Sequence, residues 1–348
     1  MNSFDKILVF YFSGTGNALA AANWINSFSK SINIESQIIN IADHPNLNEI
    51  TIEENTLIGF CYPTHGFNAP PIVIKFLRKF PSTNKKVKFF TLNTRAGMKA
   101  SKIFTPGISG LAFILPLIIL LLKGYKSVGY RPLDLPSNWI SIHPGLKKQV
   151  IESIFKRCKP LTTVFISKIM SGKKSFNRLY ELPIDVAISP LALGYYFYAR
   201  FILSKTFIAT KDCNQCGLCE KECPVNAIII KDKLPYWTYK CESCMHCMNS
   251  CPQRAIETPH GFTAIAWVMA FTVLPPLIMV MKESFGTQES DFSKLFVKVL
   301  IYVLGWLLIV GLYKLVHKLM KFKIVNEIVR YTSLTTFKFW RRYKAPKY

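Results

Sequence analysis

The stretch CNQCGLCEKECP, residues 213–224, decides how this chain is organised, and CESCMHCMNSCP, residues 241–252, repeats it. In both stretches four cysteines stand as C-x2-C-x2-C-x3-C, and a proline follows the last one. Each cysteine lies 28 positions before its counterpart in the second stretch. The match continues beyond the cysteines at Pro224, Ala227 and Ile228, which align with Pro252, Ala255 and Ile256. This regularity indicates an internal duplication in which both halves serve the same chemistry.

The spacing of the cysteines suits an iron–sulfur cage. A cubane cluster needs four thiolates at its corners, and three cysteines two residues apart can wrap one face from a tight loop. Zinc is the alternative, but zinc sites usually pair cysteines as separated C-x2-C knuckles. His246 lies between two of the cysteines and is interpreted as a filler rather than a ligand. Cys61 and Cys158 lie outside the pattern and are predicted to be ordinary core thiols.

The duplicated pattern resembles that of the two-cluster bacterial ferredoxins, which are small α+β domains. In that family the fourth cysteine of each run ligates the cluster of the other run. The resemblance implies two [4Fe–4S] clusters within residues 211–260. The first would be held by Cys213, Cys216, Cys219 and Cys251. The second would be held by Cys241, Cys244, Cys247 and Cys223. Such an exchange would lock the two halves together around a small core.

The composition predicts a cytoplasmic, membrane-associated protein. The 348 residues suggest about two domains. Met1–Lys6 is polar and Ile7–Phe12 is too short for the apolar core of an export signal, so the ten cysteines indicate a reducing compartment and metal ligation. The formal charge is +24, with the excess outside residues 211–260. We find no nucleic-acid-binding motif, so we expect anionic lipid as the counter-charge.

The N-terminal stretch predicts a phosphate site. A short buried strand, Lys6–Phe12, and a predicted helix, Ala18–Phe28, flank the loop Ser13, Gly14, Thr15, Gly16 and Asn17. A loop of this kind binds phosphate through backbone amides and hydroxyls at the start of a helix. The loop lacks G-K-[ST] and is not G-x-G-x-x-G, which disfavours a nucleoside-triphosphate or dinucleotide site. It resembles the FMN-phosphate loop of flavodoxins, and a generic strand-to-helix turn is the alternative.

Two further strand-and-loop units follow the same plan. The strand Asn55–Cys61 is followed by Tyr62, Pro63, Thr64, His65 and Gly66. The strand Val87–Leu92 is followed by Asn93, Thr94 and Arg95. In flavodoxins the loops at these two places hold the flavin ring. A last strand, Ser127–Leu135, and a closing helix, Ile142–Met170, complete a parallel α/β sheet over residues 1–174.

This stretch departs from the flavodoxin pattern at two places. Ala18 stands where flavodoxins usually have a hydroxyl residue, which removes one phosphate contact. The third loop has no aromatic residue to stack on a flavin, and it carries Arg95 instead. Arg95 is either a solvated loop residue or a cation that stabilises an anionic reduced flavin. His65 is likewise either an ordinary loop histidine or a proton relay to the flavin.

Two apolar stretches precede the cysteines. Ile108–Leu122 is uncharged but short for a membrane span, so we predict a core helix whose outer face also touches lipid. Residues 175–210 form a predicted helical linker. Its centre, Val186–Ala199, contains Pro190 and a run of aromatic residues, and it either lies at the membrane interface or packs between domains.

Two longer apolar stretches follow the cysteines. Residues 262–281 and 295–313 meet the length criterion for transmembrane helices. The tail, residues 314–348, is strongly basic, and the positive-inside rule places it in the cytoplasm. Two spans return the chain to its starting side, so we expect a multi-pass protein of the cytoplasmic membrane with its redox domains facing the cytoplasm. The tail's aromatic residues, Phe337, Phe339, Trp340 and Tyr343, are expected to lie on lipid headgroups.

Over most of residues 1–260 the chain resembles the flavodoxin–ferredoxin fusion family. The resemblance implies a membrane-anchored electron-transfer protein that relays electrons between FMN and two [4Fe–4S] clusters to a redox protein or a membrane electron acceptor or donor. One alternative is a ferredoxin-type relay whose flavodoxin-like domain lacks FMN and acts as a docking module. Another is a flavin-dependent reductase of a small or quinone acceptor. We identify no general base or nucleophile, which favours an electron carrier over a substrate-specific oxidoreductase.

Overall fold

The computed structural model describes residues 3–273, 275–276 and 291–346. The chain forms two compact units. Of the described residues, the sheet unit contains 3–198, 244–249 and 341–346. The cluster unit contains the described residues of 199–243 and 250–340. Part of the second cysteine run and the end of the tail therefore belong to the sheet unit.

The sheet unit is built on a parallel β-sheet with strand order β2-β1-β3-β4-β6. Its strands are β1 (Lys6–Tyr11), β2 (Glu35–Asn40), β3 (Thr56–Pro63), β4 (Lys88–Ala100) and β6 (Lys126–Pro136). The short strand β5 (Ile103–Thr105) turns back antiparallel onto β4, and β7 (Ser175–Phe176) extends the sheet beside β6. The order 2-1-3-4-5 of the five main strands is that of flavodoxin-like doubly wound sheets. The predicted fold class is confirmed for this unit.

Four helices cover the sheet, because its central strands are apolar on both faces and must be buried on both. They are α1 (Asn17–Ser31), α2 (Pro71–Lys79), α3 (Leu111–Leu122) and α4 (Lys148–Met170). In α4 the buried side chains recur at helical spacing, as at Ile151, Ile154, Phe155 and Cys158. Helix α3 buries one face and exposes Ile118, Leu121 and Leu122, so it is a core helix with an apolar outer face.

The expected loop at Asn93–Gly97 is not a loop. Strand β4 continues through it and pairs with β6 as far as Gly97 and Pro136. Arg95 is 4% exposed, so a solvated loop arginine is wrong. Its Nε donates to Asp134 at 2.6 Å and its Nη1 to Glu181 at 2.5 Å.

The linker packs on the sheet unit. It contains α5 (Leu182–Ala187), α6 (Ser189–Gly194), a π-helical turn at Tyr195–Ala199 and α7 (Arg200–Leu203). Like Glu181, Asp185 of the linker bonds to the sheet unit. Its buried carboxylate accepts hydrogen bonds from the backbone amides of Ser109 at 3.1 Å and Gly110 at 2.6 Å. Its outer face exposes apolar side chains: Tyr180, Ile184, Val186, Leu191, Leu193 and Phe197. Buried polar contacts therefore hold one face of the linker in place, and its opposite face exposes apolar side chains.

The cluster unit repeats one small motif. Strand β9 (Ile228–Lys231) pairs antiparallel with β10 (Leu234–Trp237) between the two cysteine runs. Strand β8 (Ile208–Ala209) pairs in the same way with β11 (Ile256–Glu257) from the two ends of the domain. A turn of helix, α8 (Leu218–Lys221), lies in the first run, and α9 (His246–Ser250) begins in the second.

Helices follow the cysteines. They are α10 (His260–Val268), a π-helical segment at Met269–Val273, α11 (Asp291–Leu319) and α12 (Lys323–Tyr331). Among the described residues, the stretch Leu295–Leu319 is long and apolar enough to cross a membrane by itself. The helices Leu179–Ala187 and Ser189–Leu203 pass the same test as a pair, with a 60° bend between them. The other expected span, 262–281, extends into residues outside the described ones.

The end of the tail does not match its expected place. Tyr343 is completely buried, and Trp340 is largely buried. Their predicted position on lipid headgroups is therefore wrong, because both side chains pack inside the protein. Phe337 and Phe339 of the same segment are exposed.

We predict that Arg95→Met lowers the free energy of unfolding by about 3 kcal/mol, because among the described residues Asp134 and Glu181 then keep only the partly exposed Arg178 as an ion-pair partner. Urea unfolding followed by tryptophan fluorescence measures the change. Lys148→Met is the control, since the Lys148 side chain is 90% exposed and lies 3.9 Å from Glu152. We expect it to shift the free energy by less than about 0.5 kcal/mol. Equal effects of the two substitutions would contradict the structural role of Arg95.

Candidate iron–sulfur and flavin sites

The two cysteine runs have the same backbone shape. Gln215 and Ser243 both have left-handed φ angles, of 61° and 50°. Gly217 and Met245 form a second matching pair, at 71° and 62°. Left-handed residues turn the chain sharply, which lets three cysteines spaced two apart face a common centre. The sequence duplication is thus also a duplication of loop conformation.

Each half of the cluster unit completes the other by backbone hydrogen bonds. The amide of Thr210, before the first run, donates to the carbonyl of Ala255, after the second, at 2.8 Å. The amide of Thr238, before the second run, donates to the carbonyl of Ala227, after the first, also at 2.8 Å. The two bonds are related by the 28-residue repeat. The residues that follow each run are therefore held against the other half.

This exchange brings Cys251 to the first run. Burial is the main cause that raises the pKa of Cys219 to about 11, and the neighbouring Cys213 and Cys251 contribute to the increase. The pKa of Cys213 is also raised by burial, with Cys251 and Cys216 contributing. Cys251 therefore lies near Cys213 and Cys219, and the ligand set of Cys213, Cys216, Cys219 and Cys251 stays a prediction.

The other exchange brings Cys223 to Cys241. Burial raises the pKa of Cys241 to about 12, and Cys223 contributes to the increase. The amide of Ala227 donates to Cys223 Sγ at 3.2 Å, and that of Ser243 to Cys241 Sγ at 3.4 Å. Amide bonds to sulfur stabilise negative charge on a thiolate-bound cluster. These thiols resist ionisation by themselves, so they suit a site in which iron supplies the compensating charge.

The thiols are not grouped as a mononuclear site. Among residues 3–273, 275–276 and 291–346, no three His, Cys, Asp or Glu side chains are spaced to bind a single metal ion.

A buried lysine stands beside the second run, and the sequence analysis missed it. Lys205 is 3% exposed, and its Nζ donates to the carbonyl of Trp237. The ammonium lies 4.2 to 5.0 Å from the ring centres of Tyr236, Tyr239 and Tyr313. Burial lowers its pKa to about 8, and the nearby Cys241 acts in the opposite direction. A cation here favours the more negative, reduced state of a neighbouring cluster. In the sequence, Tyr236 and Tyr239 just before the second run were the feature that could have indicated a buried cation at this place.

The predicted phosphate loop has the geometry of an anion cradle. Gly16 has a φ of 97°, and its amide donates to Ser13 Oγ at 3.0 Å, which closes the loop. Helix α1 begins at the next residue, Asn17, so that its first-turn amides face the loop. Thr15 Oγ1 accepts the side-chain amide of Asn138. The loop therefore offers hydroxyls and amides to a phosphate group, and it fits the phosphate end of FMN.

The second predicted loop is held in place by hydrogen bonds. The hydroxyl of Tyr62 donates to the Ala112 carbonyl at 2.9 Å, which directs this side chain into the core. Thr64 Oγ1 accepts the side-chain amide of Asn93 at 2.8 Å. Beyond Thr64, the chain makes a tight turn in which the amides of His65 and Asn68 donate to each other's carbonyls. Thr94, like its neighbour Asn93, is buried within β4.

An aromatic pair that the sequence analysis did not connect to this loop lies against it. The ring of Tyr195, from the linker, packs directly on Gly66, in the space that a Cβ atom would need. Trp139, from the exit of β6, meets the Tyr195 ring edge-on, with ring centres 6.3 Å apart. The linker thus supplies the aromatic surface that Asn93–Gly97 lacks. The sequence feature that could have indicated this surface is the aromatic run Tyr195–Tyr198. Its contact with Gly66 depends on tertiary packing, which the local sequence does not reveal.

Comparison with known protein families supports the iron–sulfur domain. Residues 212–256 match the family of 4Fe-4S dicluster domains. No curated protein matches the sequence at a significant level. The chain therefore carries an iron–sulfur domain of the ferredoxin type after a flavodoxin-like parallel sheet.

Several solved flavodoxins are similar to part of the chain. Oxidised flavodoxin 1 from Bacillus cereus is 17% identical over 46% of this chain and 97% of its own, with a TM-score of 0.30. A flavodoxin from the domain Archaea is 19% identical over 47% and 98%, with a TM-score of 0.32. A Fusobacterium nucleatum flavodoxin bound to flavin mononucleotide is 19% identical over 47% and 98%, with a TM-score of 0.29. These likenesses carry no information on function.

We predict that His65 makes the protein less stable in mild acid. Burial lowers its pKa from 6.5 to about 4. The unfolded chain therefore binds more protons than the folded chain as the pH falls from 6.5 towards 4, and stability decreases through that window. His65→Gln should reduce this loss, as measured by urea midpoints at pH 7 and pH 5. The control His44→Gln, at an exposed turn, should keep the wild-type difference. An unchanged difference in His65→Gln would show that the ring is accessible to protons.

Proposed function

We propose that this protein is a membrane-anchored electron carrier in which FMN, bound by the sheet unit, exchanges electrons with two [4Fe–4S] clusters. The observation that supports it most is the duplicated cysteine domain, whose halves exchange the Thr210 and Thr238 hydrogen bonds and which matches a dicluster family. A flavodoxin-order sheet with a phosphate cradle precedes that domain in the same chain. Joining such centres in one chain gives a short intramolecular path.

The sheet unit would hold FMN by its two ends. The phosphate binds at Ser13–Asn17, where hydroxyls and helix-start amides stabilise the dianion without a cation. Gly66 and Tyr195 form the surface that a flavin ring meets. When bound, FMN supplies the ability to take up two electrons and release them one at a time. The fully paired Nε and Nη1 of Arg95 belong to the protein's own ion network, and its action on a reduced flavin remains a prediction.

The iron–sulfur domain, residues 211–260, would carry electrons singly. In this proposal Cys213, Cys216, Cys219 and Cys251 hold one cluster, and Cys241, Cys244, Cys247 and Cys223 hold the other. The positive charge of Lys205 raises the reduction potential on the side of Cys241. The route ends at a redox protein or a membrane electron acceptor or donor.

The apolar segments support attachment to the cytoplasmic membrane. Leu295–Leu319 meets the requirements of a span. We propose that 262–281 forms a second span, so that both redox units and the basic tail face the cytoplasm. The exposed apolar face of the linker and of α3 would rest at the lipid interface, with anionic headgroups balancing the basic charge.

A second candidate is a ferredoxin-type relay without FMN, in which the sheet unit serves as a docking module. Two observations favour it. The Tyr195 ring covers Gly66, where flavodoxins receive the flavin ring. Ala18 is buried at the place where a hydroxyl would contact the phosphate.

We predict about one FMN and about eight iron atoms per chain in protein purified without oxygen in detergent, because two cubanes contain eight iron atoms. Metal analysis and flavin fluorescence after acid release measure both numbers. Eight iron atoms with no flavin, even after FMN is added, would establish the second candidate. In that case Tyr195→Ala, which uncovers Gly66, should gain FMN binding if the ring alone blocks the site.

We also predict that protease added to intact cells leaves the tail beyond Leu319 uncut, since two spans keep it inside. Immunodetection of a C-terminal tag measures cleavage. Permeabilised cells are the positive control. Cleavage in intact cells would refute the cytoplasmic orientation.

A further inference from the structure

The phosphate loop touches the second cysteine run inside the sheet unit. Ser13–Asn17, Cys244–Asn249 and the tail from Arg341 all belong to this unit. They come from three distant parts of the sequence, and each contributes a contact to one buried junction.

The first contact joins Gly14 to a cluster ligand. A Cβ atom added to Gly14 would lie 2.8 Å from Cys244 Cβ and closer still to the Cys244 carbonyl oxygen. The backbone of the phosphate loop is therefore in direct van der Waals contact with a ligand of the second run. A side chain at position 14 would force the two loops apart, so glycine is needed here for close approach.

The second contact is made by His246. Its Nδ1 lies 2.7 Å from the carbonyl oxygen of Gly14, a distance at which a protonated Nδ1 donates to the carbonyl. His246 stands between Cys244 and Cys247, and its interpretation as a filler is incomplete. The ring ties the ligand loop to the residue that contacts it.

The third contact is made by Tyr343, which clamps the junction from the tail. Its hydroxyl donates to Asn17 Oδ1, at the start of α1. Its backbone amide donates to Asn249 Oδ1 at 2.6 Å, on helix α9, which also carries Cys247. Asn17 in turn donates to the Pro136 carbonyl at 3.0 Å. One completely buried residue thus fixes the phosphate loop and the ligand helix in a single geometry.

We propose that electrons pass between FMN and the clusters at this junction, through the cluster ligated by Cys244 and Cys247, and that His246 and Tyr343 are its positioning residues. The inference rests on the proposed function, and it specifies which cluster the flavin meets. Electron tunnelling weakens exponentially with distance and is better through bonded and contacting atoms than through gaps. The Gly14–Cys244 contact places a ligand of this cluster directly against the loop that would hold FMN.

The electron balance is simple. If FMN is bound in its two-electron-reduced form, it would supply two electrons to the clusters and release two protons to solvent. Each of the two oxidised clusters takes one electron, with no bond made or broken at iron. The first electron would pass from the cluster of Cys244 to the other cluster. The cluster of Cys244 would then be oxidised again and able to accept the second electron. The reverse sequence reduces FMN.

The test compares three variants that keep all cysteines. Tyr343→Phe removes only the hydroxyl that binds Asn17, and His246→Phe removes the bond to Gly14 while keeping a ring. Tyr331→Phe is the matched control, because Tyr331 is 70% exposed in the same C-terminal region. Flash photoreduction of FMN in the whole protein, followed by cluster absorbance, gives the transfer rate. We expect Tyr343→Phe and His246→Phe to slow transfer about tenfold or more, and the control to leave it unchanged.

Two readouts separate positioning from loss of a centre. Iron and FMN content and the reduction potential of each centre should stay at wild-type values in both variants. Magnetic interaction between the flavin and a reduced cluster, seen by EPR, should be lost in Cys244→Ser and persist in Cys216→Ser.

The outcomes distinguish the two claims. If the wild-type protein binds no FMN, the proposed function fails and this route fails with it. If FMN and both clusters are present but Tyr343→Phe and His246→Phe transfer electrons at the wild-type rate, only the route is overturned. If the magnetic interaction is lost in Cys216→Ser and persists in Cys244→Ser, the flavin meets the other cluster, and the proposed route is overturned.

Discussion

The paired hydrogen bonds between Thr210 and Ala255 and between Thr238 and Ala227 are the interaction on which the iron–sulfur chemistry depends. A tight loop can present three thiolates to one cage, but the fourth must come from elsewhere. These bonds place the end of each cysteine run beside the start of the other. They bring Cys251 towards Cys213 and Cys219, and this proximity contributes to raising the pKa of both thiols. In the proposed ligand assignment, neither half would have a complete ligand set without this exchange.

The sheet unit depends on a different constraint, the burial of charge. Arg95, Asp134 and Glu181 form an ion network at the edge of the sheet where ligands bind in folds of this type. Because isolated buried charges are costly, the network holds the linker against β4 and β6. The linker in turn places Tyr195 on Gly66. The position of the Tyr195 ring on Gly66 therefore depends on the ion network of Arg95, Asp134 and Glu181.

The sequence was most informative where local pattern decides structure. The cysteine spacing indicated the duplicated domain, and apolar runs between glycine-rich turns located β1, β3 and β6 and the helices α1 and α4. It was wrong at Asn93–Gly97, because pairing with β6 extends β4 in a way that no local pattern reveals. It missed the roles of Lys205, Tyr195 and Tyr343. Each depends on contacts between segments far apart in the chain, as with the 326 residues between Asn17 and Tyr343.

That separation has a consequence for how the protein is made. Asn17 is synthesised before Tyr343, which follows both cysteine runs and the long apolar helix. The five main strands of the parallel sheet end at Pro136, so the sheet can form before those later segments are made. The phosphate loop acquires its clamp only after the apolar helix has been synthesised. Maturation is thus ordered in time, because Tyr343 joins the phosphate loop to the second cysteine run only after the sheet has formed.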